Sequence, residues 1–159
     1  MDAVQLWTGQ AGWATKNLAF NLDFIPDDKL DWKPATEANS ALEIAHHLLE
    51  TITHITAMLR KTKTGDSAQE KPEIEKPAGR EAAKQQLIAA GEDYIAFLQT
   101  VTPEDLQTTV DSPFGKMPFW FMANIVVTDA IHHHGQIAYI QTLLGDGESH
   151  FDMSLMPQS

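Results

Sequence analysis

Hydrophobic residues recur along most of this chain at steps of three and four, the spacing of one face of an α-helix. This spacing predicts four long helices, over about 2–24, 40–61, 80–100 and 118–144. Residues 63–79 are polar and rich in charge, proline and glycine, which predicts an exposed loop. Residues 107–117 have no clear period and are predicted to be irregular. Four apolar helix faces bury one another most simply in an antiparallel four-helix bundle, so we expect an all-α fold.

Local patterns mark where the predicted helices begin and end. Ser40 and Glu43 have the spacing of a capping box, which begins the second helix. Thr102 before Pro103 predicts a cap followed by a short helical turn. Gly145 is the stop signal of the fourth helix. We therefore expect one bundle domain over residues 1–145 and a C-terminal tail over 146–159.

Composition narrows the class of function. The chain has 159 residues and no cysteine, which rules out a disulfide framework and a zinc–thiolate site. Its 11 basic and 22 acidic residues give a net charge of −11, which repels nucleic acid. No apolar stretch approaches the ~20 residues of a membrane span, and residues 1–5 lack the basic start of a signal peptide. We expect a cytoplasmic protein that binds neither nucleic acid nor membrane.

The fourth predicted helix carries three consecutive histidines, 132–134, with Asp129 one turn before the middle one. At about 100° per residue, Asp129 and His133 fall within roughly 80° of each other, on the apolar side of the helix. His132 and His134 point to either side. Burying an unpaired ionisable group costs several kcal/mol, so this pair needs a partner. A metal ion is the simplest partner, and a hydrogen-bonded structural role is the alternative.

The second predicted helix also carries histidines, His46, His47 and His54. His47 lies at the edge of the apolar side and is the one best placed to face Asp129 and His133. Two histidines and a carboxylate can hold one face of a divalent ion and leave positions open for water or substrate.

Two further side chains are candidates for supporting roles near these three. His54 is a weak candidate for a general base, provided that it reaches the same cavity. Gln136 faces inward and is able to bond a ligand histidine or a backbone carbonyl.

Several segments resemble one known family when they are taken in order. They are SALEIAHHLLE at 40–50, the loop at 26–34, HHHGQIAY at 132–139 and LLG at 143–145. Each is weak alone, but their order and spacing are more specific and extend over about residues 5–145. Together they resemble the DinB-like family, which comprises DNA-damage-inducible proteins and bacillithiol-transferase-like relatives.

The resemblance implies a four-helix bundle of up-down-down-up, DinB/YfiT-like metalloenzyme topology, often dimeric. It also implies a divalent metal, commonly nickel or zinc, held by one histidine of the second helix and a His-x-x-x-His pair on the last. By position, His47 and His133 match two of these ligands. Asp129 stands where the first histidine of the pair is usual, and His134 stands where an arginine is common.

Two functions remain open from the sequence. In the first, the protein is a metal-dependent transferase or hydrolase acting on a small molecule, with a low-molecular-weight thiol as one implied co-substrate. In the second, it is a non-catalytic, stress-associated dimeric bundle whose metal site is degenerate. Because Asp129 stands where the family usually has a histidine, both functions remain open. Its carboxylate either ligates the metal or leaves a degenerate site that binds no metal tightly.

Overall fold

A computed structural model describes residues 3–65 and 72–155 of the chain, and it is mostly helical. Its four long helices are α1 (Ala3–Asn21), α2 (Ala41–Thr64), α3 (Arg80–Leu98) and α4 (Phe119–Leu143). Single helical turns follow α1. Another single turn, Asp105–Gln107, lies before β1 and follows the predicted Thr102 cap. The four-helix prediction is confirmed, with helix ends displaced by a few residues at most.

A short β-hairpin corrects the prediction that residues 107–117 are irregular. Strands β1 (Thr109–Ser112) and β2 (Gly115–Pro118) pair antiparallel, with Val110 opposite Met117. Four-residue strands are too short to show a period of two, and in β1 only Val110 is buried. Gly115 adopts a φ of +101°, which a residue with a side chain rarely adopts, and so permits the turn.

The packing order of the helices brings α2 beside α4. Both α3 and α4 pack against α1 and against α2, so that α1 lies diagonal to α2 and α3 lies diagonal to α4. The long connection between α1 and α2, residues 22–40, is what allows the chain to cross this diagonal. As a result, the second and fourth helices, which carry the histidines, face each other.

The core follows the predicted stripes. The six aliphatic residues predicted to face inward are all buried, namely Ile44, Leu48, Ile55, Val126, Ile137 and Ile140. The predicted capping box is present: the Ser40 amide donates to Glu43 over 2.9 Å, and the Glu43 amide donates to the Ser40 hydroxyl over 3.3 Å. This cap marks where α2 begins.

Two connecting segments complete the described structure. Residues 72–79 of the predicted 63–79 loop contain no helix or strand, while 66–71 lie outside the described residues. Residues 146–155 run along α1, where Asn21 donates to the His150 carbonyl over 2.8 Å and the Asp152 amide donates to Asn17 over 3.2 Å. Among the helices described, none has the length and apolarity needed to cross a membrane.

Candidate metal centre

Three side chains that the sequence singles out converge between α2 and α4. His47, Asp129 and His133 each offer one ligand atom, and these atoms lie within 4.8 Å of one another. The rings of His47 and His133 meet edge to face with centroids 5.0 Å apart. The segment that includes α3 and the hairpin separates α2 from α4 in sequence, and the two helices meet only in the folded bundle. Metal binding by the group stays a prediction.

The three residues span the boundary between core and solvent. His133 is only 5% exposed, whereas Asp129 is half-buried and His47 is exposed. A site with this gradient is anchored in the core by one side chain and open to solvent at another. Such an arrangement is typical of catalytic rather than structural metal sites, which are closed by protein ligands.

One ring nitrogen of His133 makes a hydrogen bond and the other does not. Nδ1 of His133 donates to Oε1 of Gln136 over 2.6 Å, so Nε2 carries the free lone pair when the ring is neutral. Nε2 lies 3.4 Å from Oδ1 of Asp129 without the alignment of a hydrogen bond. Nε2 of His133 and Oδ2 of Asp129 are both buried and have no hydrogen-bond partner.

Buried polar atoms without a partner are rare in folded proteins, and a pair of them calls for an explanation. A cation between these atoms would satisfy both. Imidazole nitrogen and carboxylate oxygen are also ligands that zinc accepts, and imidazole suits nickel. The residues present therefore fit the metal that the family resemblance implies.

The electrostatics of Asp129 and His133 are coupled. Burial alone would raise the pKa of Asp129, but His133, with help from Thr51 and His47, holds the pKa below its ordinary value. Burial alone would lower the pKa of His133, but Asp129 and Gln136 together raise it. The site therefore favours a negative carboxylate, which suits a cationic ligand, and a protonated His133, whose ring would release its proton when a metal binds.

The flanking histidines serve elsewhere. His132 is exposed, and its ring contacts the ring of His133 with centroids 5.1 Å apart. His134 packs edge-on against Trp13 at 6.4 Å and Phe151 at 5.8 Å. Burial lowers the pKa of His134, which favours a neutral ring among these aromatic side chains. Neither belongs to the group of potential ligands.

A cavity of about 1000 Å³ opens beside the three residues, between α2, the hairpin and the start of α4. His47 lines one end of it, and His54 lines the same wall two turns further along α2. Nε2 of His54 donates to the Pro72 carbonyl over 3.0 Å, so Nδ1 is the ring nitrogen that can accept a proton. His54 thus reaches the cavity, and its role as a base stays a prediction.

Sequence reasoning passed over Glu50 and Thr51, which also line this cavity. Thr51 lowers the pKa of Asp129 and is therefore close to the carboxylate. Glu50 is half-buried, and its carboxylate has no hydrogen bond or ion pair within the described part of the chain. Their positions three and four residues after His47 place them on the same side of α2, which is the signal that could have found them.

Comparison with known proteins agrees with the fold. The model of the DinB superfamily matches residues 10–137 of the chain. The chain belongs to the DinB superfamily. The matched range includes all three candidate ligands. A comparison with curated proteins found no match.

Solved structures of DinB-like proteins share the bundle. A DinB-like protein from Bacillus subtilis is 21% identical with a TM-score of 0.67, over 95% of this chain and 97% of that one. One from Bacillus cereus is also 21% identical with a TM-score of 0.69, over 90% and 91% of the two chains. A conserved protein from Enterococcus faecalis is 16% identical with a TM-score of 0.73, over 90% and 97%. At such identities the likeness establishes the fold alone.

Proposed function

We propose that this protein is a metal-dependent enzyme, a transferase or hydrolase that acts on a small molecule. The observation that carries the proposal is a pair of buried atoms without a hydrogen bond, Nε2 of His133 and Oδ2 of Asp129, beside an exposed His47 at the end of an open cavity. A degenerate, non-catalytic site would be expected to have a dry, apolar bundle centre, and the open cavity favours the catalytic reading.

The proposed ligands are His47, Asp129 and His133, and zinc or nickel is the expected ion. Such an ion supplies Lewis acidity and lowers the pKa of a bound water or thiol. Because Asp129 contributes a negative charge where the family usually has a neutral imidazole, the net charge of the loaded site would be +1 rather than +2. We expect weaker Lewis acidity than in a three-histidine site.

Three other side chains have supporting roles: one orients a proposed ligand and two are candidates to accept a proton. Gln136 holds His133 so that Nε2 faces the site. Glu50, one turn from His47 on the cavity wall, is the first candidate to accept a proton from a group bound in the cavity, because its carboxylate has no competing partner among the described residues. His54 is the second, with one ring nitrogen already bonded.

The expected substrate is a small molecule, with a low-molecular-weight thiol as the co-substrate that the family resemblance implies. The acidic net charge of −11 supports a protein that does not bind nucleic acid. A homodimer and a cytoplasmic location complete the proposal, both carried over from the resemblance and the composition.

The test is metal content in protein purified without an affinity tag. Elemental analysis after reconstitution with zinc or nickel is expected to find about one equivalent per chain. His47→Ala and His133→Ala should each abolish this content. His132→Ala is the matched control, since it removes a neighbouring exposed histidine outside the group and should keep the metal. Less than about a tenth of an equivalent in wild type would contradict the proposal.

A further inference from the structure

The cavity beside the candidate metal centre is large and elongated. Its volume of about 1000 Å³ is at the upper end of the range for small-molecule sites. Along one wall, α2 contributes residues from His47 to Thr62. Fifteen residues of helix rise about 22 Å, so this wall is several times longer than the 4.8 Å within which the candidate ligand atoms lie.

The opposite wall, which also carries Asp111 and Ser112 of the hairpin, includes aromatic side chains that the fold leaves exposed. Phe121 of α4 and Phe114 of the hairpin both line the cavity, yet they are 41% and 88% exposed. Met117, Met122 and Ile125 continue this wall, and Met58 faces it from α2. Exposed aromatic side chains together with methionines around a concavity are typical of sites for apolar ligands.

Hydrogen bonds within the hairpin turn hold the backbone around Phe114, whose side chain is exposed. The hydroxyl of Ser112 accepts from the Phe114 amide over 3.2 Å and donates to the Gly115 carbonyl over 2.8 Å. With φ of +101° at Gly115, these bonds define the backbone on both sides of Phe114. The aromatic surface of Phe114 stays largely exposed in the fold, and a ligand in the cavity would bury it.

Lys61, Thr62 and Asp111 are polar residues of the lining, and a second polar group lies at the end beside the candidate metal centre. There Glu50 offers a half-buried carboxylate with no partner among the described residues, next to His47 and Thr51. Much of the remaining lining is apolar, with Ile55, Met58, Met122 and Ile125 among its residues. A molecule that fits this pattern has a hydrogen-bonding end and a long apolar body.

We infer that the cavity binds an elongated, mainly apolar small molecule, aliphatic or aromatic, with its polar end beside His47 and Glu50 and its body against Phe114 and Phe121. This rests on the proposed function in one respect, because it makes the polar end the part of the substrate that reaches the metal group. It names the substrate class that the sequence left open.

The test uses metal-free protein and the neutral fluorescent probe N-phenyl-1-naphthylamine. We expect saturable binding, which Phe114→Ser and Phe121→Ser each weaken about tenfold, since each removes an aromatic contact. Both residues are exposed, so the variants should fold. Tyr139→Ser is the matched control, because Tyr139 is 63% exposed on the same helix as Phe121 and does not line the cavity.

Displacement of the probe by n-alkanols tests the elongated shape. From hexanol to decanol, affinity should rise about fourfold per added methylene and stop rising once the chain exceeds the cavity. Absence of saturable binding, equal binding in all variants, or affinity independent of chain length would overturn the inference.

Metal content measured on the same samples separates this inference from the proposed function. Metal binding without probe binding would overturn only the assignment of the cavity. Probe binding that depends on Phe114 and Phe121 in a protein that takes up no metal would uphold the cavity and contradict the metal-dependent function.

Discussion

His133 Nδ1 donates a hydrogen bond to Oε1 of Gln136, three residues later on α4, over 2.6 Å. This bond decides which nitrogen of the buried ring faces Asp129 and His47. In metal sites a partner of this kind fixes the tautomer and the ring orientation, and its loss lowers metal affinity by about 10–100-fold. The role of Gln136 can therefore be tested apart from that of the ligands.

Gln136→Ala should lower zinc affinity by roughly 10–100-fold without abolishing binding. Gln136→Glu keeps an acceptor for Nδ1 and should restore most of the affinity. Competition with a chelator of known zinc affinity measures both. An alanine variant with wild-type affinity would show that the 2.6 Å bond does not orient the ring for a metal.

Asp129 is expected to act as a ligand, because the orienting role toward His133 is already taken by Gln136. Asp129→Ala should lower zinc affinity by more than the roughly 10–100-fold that an outer-shell partner contributes. Asp129→His should keep the metal and increase its Lewis acidity, since a neutral ring replaces a carboxylate. Zinc titration of the two variants checks this, and equal affinity in wild type and Asp129→Ala would exclude a carboxylate ligand.

Gly91 is where α3 approaches α1 most closely among the glycines of the described chain. A Cβ there would lie 3.0 Å from Cγ2 of the buried Thr15. Gly91→Ala should therefore be less stable than a Gly→Ala change at an open helical position by about 1–3 kcal/mol. Gly9→Ala is that control, since nothing lies within 4 Å of its Cβ, and it should be neutral or stabilising by up to about 1 kcal/mol. Urea unfolding compares the two, and equal gains would contradict the close approach.

Asp105 links the end of α2 to the turn after α3 and should make stability depend on pH. A hydrogen bond from Lys63 over 2.5 Å, with another from the Thr102 amide, lowers the pKa of Asp105 below its ordinary value of 3.8. A lowered folded pKa stabilises the protein above about pH 4, and this stabilisation is lost as pH falls through the folded pKa. Lys63→Met should thus lower the urea midpoint more at about pH 7 than at about pH 2.

Lys61→Met is the control for this pH dependence, because Lys61 makes no ion pair in the part of the chain described and lies two residues earlier on the same helix. A loss of the same size at both pH values for Lys63→Met would contradict the argument. An NMR titration of Asp105 measures the pKa directly and should give a higher value in Lys63→Met.

Local patterns were enough to predict the helices of this protein. The three- and four-residue spacing of Ile44, Leu48 and Ile55 reports which side of a helix faces the core, and that depends only on the geometry of one turn. The capping box of Ser40 is likewise a contact between residues three apart. The hairpin was missed because its strands have four residues each and are too short to show a period.

The sequence by itself determined that Asp129 and His133 share one face of a helix and that His47 borders the apolar face of another, since helical period and hydrophobicity decide both. Only the tertiary structure decided that these faces meet, because the contact between α2 and α4 depends on how the connection at 22–40 crosses the bundle. The cavity, with Glu50 on one wall and Phe114 on the other, was likewise invisible in the sequence. Its walls come from segments far apart in the chain, whose approach is set by packing and not by any local pattern.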